Sequence, residues 1–223
     1  MITALLVSVN YSDYLEVTLP YNTKQFDQII VLTIESDKAC QDLCSKYSNV
    51  KCLVFPDGIL KKNRKTFNKG AIINKGFEHL NETGYSDWLV MTDADIIFPE
   101  NFKELMHSKE KDPNILYGMK RRHCFTQSVL NEYLKSLDAN LLTVNARGIY
   151  NNMIGIGFCQ IFMYEANKFT LVESTNANTS DIRFVNDYFG SFYNVKSLKD
   201  DIFVIHLGET CKNWRGRTTK PFV

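Results

Sequence analysis

The chain has 223 residues, enough for one large α/β domain or two small ones, and its 44% hydrophobic content lets it bury a core without staples. A formal net charge of +1 argues against a nonspecific grip on nucleic acid or an anionic membrane as the main activity. Six cysteines (40, 44, 52, 124, 159 and 211) form no CxxC pair, so reduced thiols in a reducing compartment are expected.

The opening MITALLVSVN is apolar but short, without a basic leader or cleavage site, and no stretch reaches the roughly 20 apolar residues of a membrane span. A soluble, cytoplasmic protein is the expectation. Ala4–Val9 and Gln28–Ile34 are near-continuous apolar runs, the pattern of strands buried on both faces of a parallel sheet. Between them Ser12 and Asp13 can cap a short helix that Pro20 stops after Leu19. Asp37–Tyr47 reads as a second helix and Val50–Phe55 as a third strand. Asn68 can cap a helix in which Ile73, Phe77 and Leu80 fall at helical spacing, and the strand Asp87–Thr92 follows. Strand and helix alternate about four times, which predicts a Rossmann-like, mostly parallel half over residues 1–98.

From Pro99 the pattern is mixed. A helix over Glu100–His107, a strand over Ile115–Met119 and a helix over Gln127–Leu137 are expected. A strand over Met153–Tyr164 follows, interrupted by Gly155 and Gly157. Then come a helix over Thr179–Phe189 and a last strand over Ile202–Ile205, ending at His206. With no repeat, low-complexity tract or linker, the expectation is one α/β domain, with residues 99–223 as its second half.

Chemistry concentrates in three segments. Asp93 and Asp95 follow the strand "DWLVMT", beyond the carboxyl end where open α/β sheets bind ligands, and the small Ala94 between them permits close approach. Two hard oxygen donors there suit Mg²⁺ or Mn²⁺ with a diphosphate completing the shell; a solvated acidic loop is the bland reading. "FNKGAIINKGFEHL" (67–80) places Lys69 and Gly70 at the start of the preceding helix, where first-turn N–H groups and Lys69 can meet an anion, with Asn74 and Lys75 one turn further on; a capped amphipathic helix with surface lysines is the bland reading. Gly70 is expected to leave those groups accessible. "FVIHLGETCKNWRGR" (203–217) supplies His206, Gly208, Lys212, Trp214, Arg215 and Arg217, with Lys220 beyond. Such a basic segment can fold over a diphosphate or simply be solvated.

These segments together resemble a metal-dependent nucleotide-sugar glycosyltransferase of the GT-A fold. The "LLVSVNYSDYL" opening, "FNKGAIINKGF", "DWLVMTDADIIFP", a Gly-rich strand and a late histidine occur in the matching order. "FNKGAIINKGF" before the acidic strand is similar to the β-1,4-galactosyltransferase-like families and to bacterial family 2 relatives. The resemblance implies Mn²⁺ (or Mg²⁺) held by Asp95 and His206, with Asp93 as a nucleotide or water-mediated contact, and a UDP-sugar donor. Val9, Asn10 and Tyr11 would border the base, with Glu35 or Asp37 as a further contact. Lys69 and the Trp214, Arg215, Arg217 segment would meet the diphosphate.

For inverting members the resemblance implies an acidic base at a helix start after the Gly-rich strand. Asp181 occupies that place, with Asp187 as alternative; the usual acidic partner is replaced by Ser180 and a tryptophan-glycine stretch is missing. The hydroxyl acceptor would meet Asn151 and Asn152 or the run Lys120, Arg121, Arg122, His123, which also reads as a solvated loop. Two other readings stay open: a sugar-nucleotide nucleotidyltransferase, although "VNYSDYL" lacks its Gly-rich Arg/Lys signature, and a catalytically silent carbohydrate-binding or scaffold protein.

Overall fold

The computed structural model describes residues 1–61, 67–144, 154, 158–173, 180–191, 195–208, 213 and 217–222. In chain order the first half holds β1 (Ile2–Val7), α1 (Ser12–Asn22), β2 (Gln28–Ile34), α2 (Lys38–Cys44), β3 (Val50–Phe55), α3 (Lys69–Glu82) and β4 (Trp88–Asp93). It continues with β5 (Ile96–Ile97), α4 (Phe102–His107), β6 (Tyr117–Gly118), β7 (Lys120–Cys124) and α5 (Gln127–Ser136). The last elements are β8 (Cys159–Met163), α6 (Ser180–Phe189), β9 (Lys196–Ser197) and β10 (Phe203–Leu207).

The large sheet has seven strands in the order β3-β2-β1-β4-β8-β6-β9. β3, β2, β1 and β4 run parallel, as the continuous apolar runs predict, and β8 lies antiparallel to β4. Alternate residues feed two cores. Ala4, Leu6, Val31 and Val90 pack with Leu15, Leu19, Cys40, Cys44 and Phe102 of α1, α2 and α4. Leu5, Leu32, Leu89 and Phe162 pack with Ile72, Phe77, Leu80 and Phe184 of α3 and α6. Burying the four large apolar side chains of α3 (Ile72, Ile73, Phe77, Leu80) contributes roughly 6–12 kcal/mol as an upper bound. Gly76 lets α3 sit close, since a Cβ there would lie 2.9 Å from Leu5 Cδ1 and 3.0 Å from Leu32 Cδ1.

A smaller sheet of three strands, β5-β10-β7, stands beside the large one. Ile97, Ile205, Leu207 and Cys124 on one of its faces join Tyr14 and Leu130 in a third apolar cluster. Among the described residues no helix is long and apolar enough to cross a membrane. Cys40, Cys44, Cys52, Cys124 and Cys159 are free thiols.

Several boundaries differ from the sequence expectation. α1 runs through Pro20 to Asn22 instead of stopping at Leu19. Pro20 and Glu16, whose carbonyl loses its helical partner, lie on the exposed side. Buried Asn22 fixes the last turn by donating to the Ile96 carbonyl at 2.7 Å and accepting from Phe98 N at 2.9 Å. Residue 11 precedes α1 without a side-chain cap, so Ser12 and Asp13 do not cap it. Asp37 caps α2 instead of belonging to it, accepting from Cys40 N at 3.2 Å, and the helix ends at Cys44 in tighter turns. Only Tyr117–Gly118 of the stretch 115–119 is strand, and the expected loop Lys120–His123 is β7. Met153, Gly155, Gly157 and Thr179 lie outside the described residues.

Candidate active site

The central strand changes sheets at the acidic pair. Asp93 is the last residue of β4, and buried Ala94 turns the chain while its carbonyl accepts Thr18 Oγ1 at 3.0 Å. Ile96 and Ile97 then pair antiparallel with His206 and Ile205, and Leu207 N donates to the Asp95 carbonyl at 2.9 Å. That corner brings His206 Nε2 to 3.6 Å from Asp95 Oδ2. β7 pairs in parallel with β10 in the register His206↔His123, so the two imidazoles stand side by side with centroids 5.1 Å apart and planes at 64°. Asp95, His123 and His206 are 8%, 2% and 6% exposed. Period-two alternation puts Arg121 on the His123 face, its guanidinium 4.6 Å over the Phe158 ring. Lys120 and Arg122 turn the other way, to the carbonyls of Asp200 and Ala139.

The cluster is electrically unsettled. Burial, then the charge of Asp93, pushes the Asp95 carboxyl up to about 8. Burial, then Arg121, lowers His206 to about 4, and burial, His206 and Arg121 lower His123 to about 3. Burial disfavours the charged form of both partners in the 3.6 Å contact. Asp95 Oδ1, His206 Nδ1 and both ring nitrogens of His123 are buried without a hydrogen-bond partner among the described residues.

Beside this cluster Lys69 and Asp93 form an ion pair of 2.6 Å. Asn68 caps α3 through Ala71 N, which sets Lys69 at the helix start facing the end of β4. Burial opposes the Lys69 charge, but Asp93, Asp181 and Asp95 together hold its pKa above the ordinary lysine value. Asp181 lies in the first turn of α6, so α3, β4 and α6 converge on this lysine. Asp187 is exposed further along α6. Asn74 is occupied by residue 171, donating to its carbonyl at 3.0 Å and accepting from its N–H at 2.7 Å. Gly70 does not open the helix start: a Cβ there would lie 2.6 Å from the Val172 carbonyl oxygen.

On the β1 side, Val9 packs in the α3 core, and Asn10 takes a left-handed φ of 59° with its N–H donating to Asp37 Oδ2 at 2.6 Å. Glu35 is exposed after β2. Tyr11 stacks near Tyr14 at 5.1 Å, its phenol pKa raised by burial and then by Asp95 and Asp93. Arg217 is bound here, over the Tyr11 ring. It forks onto the Asp13 carboxylate, donates to the Asn10 carbonyl, and lies 5.4 and 5.2 Å over the Tyr11 and Tyr14 rings. The Lys220 carbonyl accepts from Tyr14 Oη at 2.7 Å. Asn151, Asn152, Lys212, Trp214 and Arg215 lie outside the described residues.

The profile described as Glycosyl transferase family 2 matches residues 3–170. The chain belongs to glycosyl transferase family 2. No curated protein sequence matches it at a significant level. Among solved structures it is similar to glucosyl-3-phosphoglycerate synthase of M. tuberculosis, at 13% identity and a TM-score of 0.50, covering 95% of this chain and 73% of that one. A complex of the Mycobacterium tuberculosis enzyme with Mn²⁺, uridine diphosphate and glucosyl-3-phosphoglycerate matches at 14% identity and a TM-score of 0.48, over 88% and 68% of the two chains. A 4-diphosphocytidyl-2C-methyl-D-erythritol synthase matches at 16% identity and a TM-score of 0.40, over 53% of this chain; the match spans 62% of that protein. At such identities the likeness concerns the fold alone, and that fold is GT-A.

This family 2 chain offers a divalent cation two ligands that fit: a buried carboxyl group whose charge is disfavoured by burial and by Asp93, and an imidazole kept from protonation by burial, 3.6 Å away. Among the described residues no three His, Cys, Asp or Glu side chains form a ready cage. Substrate oxygens and water would complete the shell, as is usual for hard cations bound with phosphates. The sequence reading joined Asp95 to His206 but missed that His123 stands beside them. The available signal was the spacing of Arg121 and His123, two apart and so on one face if KRRHC is a strand, which the density of charge disguised.

Proposed function

We propose that the chain transfers a hexosyl group from a nucleoside diphosphate sugar, a UDP-sugar, to a hydroxyl acceptor with inversion at the anomeric carbon. The observation that carries this reading is the buried Asp95–His206 pair with unsatisfied polar atoms, set against the Lys69–Asp93 ion pair at the ligand edge of the sheet. Asp95 and His206 would hold Mn²⁺ or Mg²⁺, which when bound supplies Lewis-acid stabilisation of the departing diphosphate.

The chain's own groups do the rest. Lys69 sets a buried cation beside the diphosphate, adding charge stabilisation there. Asn10 and Tyr11 border the base, with the Asn10 backbone fixed by Asp37. Asp181, in the first turn of α6, takes the proton of the attacking hydroxyl onto its carboxylate. The Arg121–Phe158 edge faces the acceptor.

Calorimetry with UDP in the presence and absence of Mn²⁺ tests the donor half of the proposal. Wild type is expected to bind UDP only with metal, and Asp95→Ala to lose that binding. Binding unchanged by the substitution overturns the metal assignment. Release of UDP from a panel of nucleotide sugars separates a transferase from a scaffold, and Asp181→Asn should lower turnover at least 100-fold while donor affinity is kept.

A further inference from the structure

We infer that His123 is a positioning residue for the cation site: when His206 Nε2 holds a divalent ion, His206 Nδ1–H donates a hydrogen bond to a ring nitrogen of His123. The inference rests on the reading of Asp95 and His206 as the metal ligands and adds a residue that this reading does not contain.

The argument starts from the orphaned atoms. A buried polar group left without a partner is destabilising, and natural interiors hold few of them. Among the described residues four lie in one cluster: Asp95 Oδ1, His206 Nδ1 and the two nitrogens of His123. His206 Nε2 is the nitrogen turned to Asp95, so Nδ1 is the one left pointing away from the carboxylate. Binding of a cation through Nε2 fixes the neutral tautomer with its proton on Nδ1, and that proton then needs an acceptor.

His123 is the acceptor at hand. Parallel pairing places it directly opposite His206 in register, and the rings meet edge to face with centroids 5.1 Å apart. Its own backbone N–H and carbonyl are already used by Thr143, at 2.8 and 2.9 Å, so the strand holding the ring is pinned from the other side as well. Behind it the Phe125 ring stacks at 6.1 Å and an angle of 20°, limiting how far the imidazole can swing. One bond between the two rings satisfies two of the three orphaned ring nitrogens, and the cation takes up the carboxylate.

Partners of this kind around metal-bound histidines are worth about 10–100-fold in metal affinity. The test is Mn²⁺ affinity, by calorimetry or electron paramagnetic resonance without donor, on the full chain. His123→Leu, which fills the space but cannot accept, is expected to weaken Mn²⁺ binding 10–100-fold, and His123→Gln, which can, to restore it to within about threefold. Wild-type affinity in His123→Leu, or equal loss in both variants, overturns the inference. Asp95→Ala runs alongside: if wild type binds no Mn²⁺, or Asp95→Ala binds it as well as wild type does, the ligand assignment falls and the role of His123 with it. Should the substitutions unfold the chain, imidazole ¹⁵N resonances of wild type titrated with diamagnetic Zn²⁺ decide. A proton coupled to nitrogens of both rings supports the bond, and its absence refutes it.

Discussion

Replacing Lys69 with methionine removes the charge at the centre of the site while keeping most of the side-chain volume. Lys69 is nearly buried and Asp93 is partly open, with side-chain exposures of 9% and 39%. Removing one partner of a fully buried pair costs about 3–5 kcal/mol, and an exposed pair is worth about 0–1. The Asp93 carboxylate can turn to water once the lysine is gone, so about 1–2 kcal/mol of destabilisation is expected in urea unfolding. The functional effect has two opposite signs. Lys69 also acts on Asp95 and lies in the field of Asp181, so its loss leaves the carboxylates with less positive compensation. Mn²⁺ alone should then bind more tightly, by about 1 kcal/mol or roughly fivefold, while UDP in saturating Mn²⁺ should bind about tenfold more weakly. Calorimetry without and with nucleotide reads both. Lys69→Met that weakens Mn²⁺ alone, or leaves UDP affinity unchanged, refutes the placement of this lysine between metal and diphosphate.

Gly70→Ala sets a methyl group 2.6 Å from the Val172 carbonyl oxygen, a backbone atom that cannot turn aside. The clash, typically about 1–3 kcal/mol, should exceed the helix-propensity gain of about 1 kcal/mol, so a lower urea midpoint is expected and an unchanged or higher one refutes it. At Asp27 burial acts to raise the pKa, but Lys103 at 2.5 Å and Ile2 N at 2.7 Å pull it below the ordinary carboxylate value. Its stabilisation is therefore present above the unfolded value of about 4 and lost as pH falls through the folded one; Asp27→Asn should cost less than about 1 kcal/mol at pH 7 and flatten the acid limb of stability against pH. An acid limb as steep as that of wild type refutes the assignment.

The parallel half of the sheet was legible because its strands are buried on both faces and written in unbroken apolar residues, as in "QIIVLTI". Local rules failed where a distant partner intervened. Pro20 reads as a stop, yet Asn22 is held by β5 and the segment after it, so the helix continues. Gly70 reads as room for a ligand, but residues 172 and 173, about a hundred positions later, fill that room. Lys120–His123 reads as a loop because its charges mask a strand that only pairing with β10 creates. In the candidate site, strand-end positions drew attention to Asp95 and His206 separately, and only the resemblance joined them as ligands, since nothing local ties them. Arg217 was expected over a diphosphate, and its fork onto Asp13 rests on a contact that no spacing rule connects.

The reversal of strand direction at β4 divides what the molecule is free to change. Towards β1 the site is reached by strands that are ending, whose tips are fixed by the helices that must follow each of them. Across β4 it is reached by β8, a strand that is beginning, with Thr92 opposite Cys159. A strand start tolerates a longer or different approach without moving the sheet, so insertions ahead of β8 would change that flank of Asp93 and leave the β1 flank in place. If the proposed sugar transfer holds, diversification towards new acceptors would be written there first.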